Sequence, residues 1–183
     1  MQANIVDPSP RSADIMHIEQ ARPADAPAIA SVLQEAAGWL AGDGRPLWSA
    51  VDIDGERVAR DTRAGWFHVA RDGGQVAGVM KFELEDAHFW PEVQPGTSAF
   101  IHKLAVRRAW AKQGVSTALL AYGLARARQL GLAHLRLDCV ADRPSLRHFY
   151  EGFGFTLHSV VRIGATDYAR YEFPIGRSER EFR

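Results

Sequence analysis

SAFIHKLAVRRAWAKQGVSTALL, residues 98–120, changes its period partway along. From Ser98 to Arg108, Phe100, His102, Leu104 and Val106 alternate with Ile101, Lys103 and Ala105, which predicts a strand. From Gly114 onward Val115, Ala118, Leu119, Tyr122 and Ala125 recur at helical spacing, and Gly131 stands where a left-handed C-cap is expected. Between them lies a turn containing Lys112, Gly114, Ser116 and Thr117. A helix start offers unbonded backbone N–H groups and positive dipole potential, and small residues there let an anionic ligand approach the main chain. Small residues also open ordinary helices, so the segment alone predicts strand, turn and helix and leaves the anion open.

The chain around it has 183 residues, 46% hydrophobic and 24% charged, which suits one globular domain with a sizeable core. Lysine plus arginine equals aspartate plus glutamate at 22 each, so no global field favours nucleic acid or an anionic membrane surface, and neither is expected as a partner. The single cysteine, Cys139, excludes an intramolecular disulfide and a multi-cysteine zinc site, and fits a reducing cytoplasm. The opening MQANIVDPSPRSAD lacks a basic start followed by an apolar core, and no apolar run approaches a membrane span. The expected organisation is a disordered lead over residues 1–14, one domain over 15–174 and a charged, solvated tail over 175–183. A homodimer is compatible with this composition and is not specified by it.

Upstream, Met16 to Ala21 reads as a strand, and PADAPAIASVLQEAAGWLAG as a helix with Ile29, Val32, Leu33, Ala36 and Leu40 on one face. A shorter helix is predicted within Asp54 to Arg63. GWFHVARDGGQVAGVMKFELE reads as two strands joined at Asp72-Gly73-Gly74, where glycine reaches positive φ cheaply. Downstream of the turn HLRLDCV alternates as a strand, PSLRHFYEGFGF supplies a short helix closed by Gly152 or Gly154, and FTLHSVVRI and DYARYEFPI form a strand pair.

This order, with LAV closing a strand, a glycine-containing turn entering a helix, and LRLDCV and FYEGFGF downstream, resembles the GNAT superfamily of N-acetyltransferases. The resemblance implies an α/β fold (α+β mixed sheet): a central, mostly antiparallel sheet, splayed at the cofactor strand and flanked by helices. It implies acetyl-CoA as cosubstrate, lying in the splay, with its pyrophosphate on the turn. The family pattern, Gln or Arg, two residues, Gly, one residue, then Gly or Ala, falls on Ala111, Lys112, Gln113, Gly114, Val115 and Ser116. Ala111 departs from it, and Lys112 or Arg108 could supply charge in its place. Leu104, Ala105 and Val106 would bind the pantetheine arm and polarise the thioester through main-chain N–H groups. Arg143 stands where the family often has an asparagine, seven residues before a tyrosine, and is expected near the cofactor phosphates.

Attack of an amine on a thioester needs a neutral nitrogen, donors for the oxyanion and a proton for the departing thiolate. By the resemblance Tyr150 is the general acid, although its sequence position also suits an aromatic on the apolar face of a short helix. His102, two residues before Leu104 on the same expected strand face, and Glu83 are candidate bases, with Glu85 and Asp86 as rival acceptors. Asp86, Phe89, Trp90 and Trp48 could line an amine pocket, since carboxylates and aromatic faces both attract ammonium groups. Trp90-Pro91 could equally anchor its loop on the sheet. Cys139 shares a predicted strand face with Leu135 and Leu137 and reads as a packing residue. The seven histidines show no paired metal-ligand spacing, so no metal is expected. The expected activity is direct acetyl transfer to the primary amine of a small molecule. A non-catalytic acyl-CoA sensor and a protein lysine or N-terminal acetyltransferase are the alternatives.

Overall fold

The computed structural model describes residues 16–42, 44 and 48–176; the expected lead over residues 1–14 and all but the first two residues of the expected tail lie outside them. In chain order the elements are β1 His17–Gln20, α1 Ala26–Gly42, α2 Gly55–Arg63, β2 Phe67–Asp72, β3 Gln75–Glu83, β4 Ser98–Val106, α3 Val115–Gln129, β5 His134–Val140, α4 Pro144–Phe153, β6 Thr156–Ile163 and β7 Thr166–Pro174. Short 3-10 turns lie at Pro23–Asp25, Ala50–Ile53 and Arg108–Trp110. The strands form one sheet in the order β1-β2-β3-β4-β5-β7-β6, in which only β4 and β5 run parallel.

Local chemistry sets the boundaries. The Asp54 carboxylate accepts from the N–H groups of Glu56 and Arg57 at 2.8 and 3.0 Å, satisfying two orphan donors at the start of α2. Gly73 and Gly74, at φ 53° and 84°, close the β2–β3 hairpin, a turn that needs positive φ at both positions. α4 ends on Gly154 at φ 117°, and Gly131 at φ 67° follows α3.

Each sheet face buries its own core. α1 and α2 set Ile29, Val32, Leu33 and Val58 against Phe67, Val69, Val79 and Ala105. On the other face Leu119, Leu120 and Leu124 of α3, with Tyr150 of α4, cover Met80, Ile101, Leu135, Leu137 and Cys139. Ile175, assigned by the sequence to the tail, is buried and its N–H donates to Ala133 O at 2.8 Å, so the packed domain runs one residue further than expected.

The strict alternation expected along β4 is interrupted. Lys81 pairs with His102 and Val79 with Ala105, so β4 carries an extra residue, and Lys103 takes φ 51°. His102 and Ala105 therefore share the α1–α2 face, whereas Leu104 and Val106 join the opposite core with Ile101. His102 and Leu104 do not share a face as the sequence suggested. Parallel pairing of β4 with β5 stops at Ile101↔Leu137, so from His102 to Val106 the edge of β4 toward β5 has no ladder partner. The sheet forks there.

Candidate active site

His102 and Asp138 are the first residues past the last β4–β5 pair, and both project to the face opposite Ile101 and Leu137. The imidazole is held between two carboxylates: Nε2 lies 3.2 Å from Asp86 Oδ2 and Nδ1 lies 3.7 Å from Asp138 Oδ1. Glu83 stands 3.9 Å from Nε2, but its carboxylate is engaged by Lys81 Nζ at 2.9 Å, which Asp61 also binds at 3.1 Å. Asp86 is aimed by its own loop, accepting from the N–H groups of His88 and Phe89 at 3.1 and 2.9 Å.

Burial opposes a charge on His102, yet the carboxylate against Nε2 and the charges of Asp138, Asp86 and Glu83 outweigh it and hold its pKa above the ordinary histidine value. Burial also opposes the Asp86 charge, but contact with His102 and the Phe89 and His88 N–H groups keep that carboxyl below the usual range. Asp138 goes the other way: burial, aided by the neighbouring Asp86 charge and only partly offset by His102, pushes it up to about 6. Asp138 Oδ1 is shielded from solvent and makes no aligned hydrogen bond.

Asp86, His102 and Asp138 are close enough to be tested as a metal site. The two carboxylates stand nearest to different ring nitrogens, yet the three ligand-type atoms lie within 4.8 Å of one another. Asp138 escaped the sequence reading. Its signal was available: in HLRLDCV it is a carboxylate on the strand face opposite Leu135, Leu137 and Cys139.

At the other side of the fork, Gly114 precedes α3 at φ 82° and Lys112 takes φ 61°, so the turn curls with its amides inward. The first helical bond is Ala118 N–H to Gly114 O at 2.9 Å, which leaves the N–H groups of Gly114, Val115, Ser116 and Thr117 without acceptors among the described residues. A side-chain atom built on Gly114 meets nothing within 4 Å, so the approach is open. These features fit the diphosphate of a coenzyme A carrier. The turn is braced from behind: Arg107 donates to Glu35, Ser31 and Val76 O, Arg108 N–H donates to Glu35 at 2.9 Å, and Trp110 Nε1 donates to Asp72 at 2.8 Å. Arg108 and Lys112 are exposed beside the turn. Arg143, at the start of α4, lies 3.6 Å from Asp142 through Nε.

Tyr150 is 6% exposed, ringed by Phe149, Phe155 and Tyr171, and no described residue bonds its hydroxyl. Burial, with the nearby Cys139 and Asp138, raises its pKa, so the phenol keeps its proton. Cys139 is pushed up to about 12, mainly by burial, and is an inert packed thiol. On the acceptor side Phe89 packs edge-on to Tyr168 of β7 at 4.9 Å, and Lys103 Nζ lies 5.1 Å from the Trp48 ring centroid.

Trp90 is not part of this lining. It is 1% exposed, with the guanidinium groups of Arg136 and Arg170 4.8 and 4.5 Å from its ring centroid, and it anchors its loop on the sheet. Two surface depressions, of about 620 and 500 Å³, lie on the outer side of α2 and beside the β2–β3 hairpin. Neither touches the fork, where the orphan donors and buried carboxylates converge, and that chemistry rather than concavity makes the fork the candidate site.

The acetyltransferase (GNAT) family model matches residues 26–155, spanning both sides of the fork. The chain is 28% identical over 137 residues to the uncharacterized N-acetyltransferase YesJ of Bacillus subtilis (strain 168), covering 72% of this chain and 76% of that protein. An acetyltransferase of the GNAT family from Listeria monocytogenes 4b F2365 superposes with a TM-score of 0.73 at 18% identity, over 87% of this chain and 95% of its own. The yncA protein of Salmonella typhimurium, solved with its cofactor acetyl-CoA, superposes with a TM-score of 0.69 at 18% identity, over 89% and 95%. Among the described residues no helix is long and apolar enough to cross a membrane. Fold, matched segment and relatives agree: the chain belongs to the GNAT family and is an N-acetyltransferase.

Proposed function

We propose that the protein transfers the acetyl group of acetyl-CoA to the primary amine of a small molecule by direct attack in a ternary complex. The observation that carries this reading is the fork beyond Ile101↔Leu137, with orphan main-chain donors at Gly114–Thr117 on one side and a buried carboxylate array on the other. A thioester carrier supplies an activated acyl group; Lys112 to Ser116 would hold its phosphates with Arg143 adding charge, and Leu104 to Val106 would present main-chain donors to its carbonyl.

The amine nitrogen attacks the carbonyl carbon, the C–S bond breaks, and the Tyr150 phenol gives its proton to the departing sulfur. The nitrogen's proton passes to the carboxylate array. The surrounding carboxylates favour the protonated form of His102 and Glu83 is tied to Lys81, so Asp138, ionised above about pH 6, is the member we assign to receive it. His102 and Asp86 orient Asp138, while Phe89, Tyr168 and Trp48 line the acceptor side.

Incubation with acetyl-CoA and a panel of primary amines should release free CoA. Tyr150→Phe should lower kcat about 10²-fold with acetyl-CoA affinity retained, measured by calorimetric titration. Unchanged turnover in that variant removes Tyr150 from the chemistry. Binding without turnover on any amine favours the sensor reading instead.

A further inference from the structure

Lys103 has no part in the transfer just described, yet it occupies an unusual place. It is the extra residue of the β4 bulge, held at φ 51°, a conformation that side-chain-bearing residues adopt at a cost, and it immediately precedes the donors at Leu104 to Val106. Its ammonium rests against the Trp48 ring, and among the described residues no carboxylate comes within 4.0 Å of it. Lys81, the cross-strand partner of the preceding residue His102, has both Asp61 and Glu83. Asp52 acts on Lys103 from the 3-10 turn, but it is engaged by Ser49 and by Arg57 at 3.6 Å. Burial first, and then the charges of Arg57 and Lys81, push Lys103 down to about 8.

The opposite imbalance lies on the same face of the sheet. Asp138 Oδ1 is buried without an aligned partner, and Asp138 and Lys103 are near enough for the lysine charge to act on the carboxyl. The acceptor side thus carries one unpaired cation and one under-satisfied anion, separated by the bulge. A half-buried charge without a partner costs stability that a ligand can return.

We propose that the acceptor carries, beside its amine, a singly charged anionic group of carboxylate type that pairs with Lys103, which makes its class amino acids rather than plain alkylamines. The inference rests on the acetyl-transfer reading of the same site. The ammonium or amine end faces Asp138 and the carboxylate faces Lys103 across the Trp48 face. A phosphate dianion fits poorly, because one lysine would have to offset two negative charges where the charges of Asp52, Asp61 and Asp138 already act. A diamine would bring its second cation against Lys103.

Initial rates of CoA release at saturating acetyl-CoA decide the matter on matched pairs: phenylalanine against phenethylamine, leucine against isopentylamine, and taurine against ethylamine. The amino acid of each carboxylate pair should show kcat/KM at least tenfold above its decarboxylated partner. Lys103→Gln should bring that ratio close to one, chiefly through KM of the acid, and Lys103→Arg should keep most of it. Retained acetyl-CoA affinity shows that the variants fold. Equal or better use of the decarboxylated amines, or a ratio that survives Lys103→Gln, overturns the inference and leaves acetyl transfer standing. Taurine outpacing both amino acids overturns the carboxylate in favour of a sulfonate. Acetyl-CoA binding without turnover on any compound strikes the transfer reading itself and this inference with it.

Discussion

Asp138 shows how one side chain is tuned by where its strand ends. Were β4 and β5 paired one residue further, His102 and Asp138 would sit inside a closed ladder; at the fork they meet just past its last pair. Burial raises the carboxyl to about 6, while His102, Asp86, His88 and Lys103 act on it through space and Arg170 faces it across the ladder on β7. A base of this kind is protonated below its pKa, so kcat/KM should fall as pH drops through about 6. Asp138→Asn should lower kcat by about 10²–10⁴-fold and abolish that acid limb, with acetyl-CoA affinity unchanged. An acid limb that persists in the variant assigns the titration to another group. Glu83→Gln, by contrast, should act mainly on stability, since that carboxylate is spent on Lys81.

At the scale of elements, the position of α3 on the sheet decides where the turn from Lys112 to Gly114 points. Gly78 of β3 is what lets them approach: a Cβ there would lie 2.8 Å from Val115 Cγ1, 3.1 Å from Ala105 O and 3.2 Å from Leu119 Cδ1. Valine has little room to rotate away and the carbonyl belongs to β4 itself. Gly78→Ala should therefore destabilise the fold by about 1–3 kcal/mol, the usual cost of overpacking, and weaken acetyl-CoA binding because Val115 is the first residue of α3. Thermal denaturation with and without acetyl-CoA measures both; an unshifted Tm would mean that the helix moves aside freely. The sequence showed that a strand, a turn and a helix occur here, because hydrophobic period and glycine position are local. It did not show the bulge, for IHKLAV contains no glycine and its adjacent His102 and Lys103 do not by themselves fix a register; the extra residue exists only relative to β3.

Across the whole molecule, the order of elements was legible because each boundary is written in adjacent residues, such as the Asp54 cap, the Gly73-Gly74 hairpin and the Gly154 stop. The active-site array was not, because it joins a loop, a strand and a second strand that meet only when the sheet assembles. His102 and Asp86 could be suspected singly, but nothing local said that Asp138 would complete them. Trp90 was open between pocket and anchor for the same reason, since its partners Arg136 and Arg170 come from β5 and β7. Arg170 draws this connectivity together: its guanidinium donates to Ser159 of β6 and to Phe89 O of the loop, both at 2.8 Å, pairs with Glu92 at 2.7 Å and covers Trp90. The loop it holds is the one that delivers Asp86 to His102. Arg170→Met keeps most of the bulk but leaves the Phe89 carbonyl and the Trp90 face without a cation, a loss of roughly 1–3 kcal/mol for a buried acceptor left unsatisfied. The turn from Lys112 to Gly114, proposed to hold the coenzyme, lies on the far side of the fork and is braced separately through Glu35 and Asp72. The variant should therefore show a Tm lower by several degrees, faster proteolysis between residues 86 and 97, and a raised acceptor KM, while its acetyl-CoA affinity stays within about twofold of the parent. A parallel loss of acetyl-CoA affinity would mean that the two halves of the site are coupled through the sheet rather than assembled independently on either side of its fork.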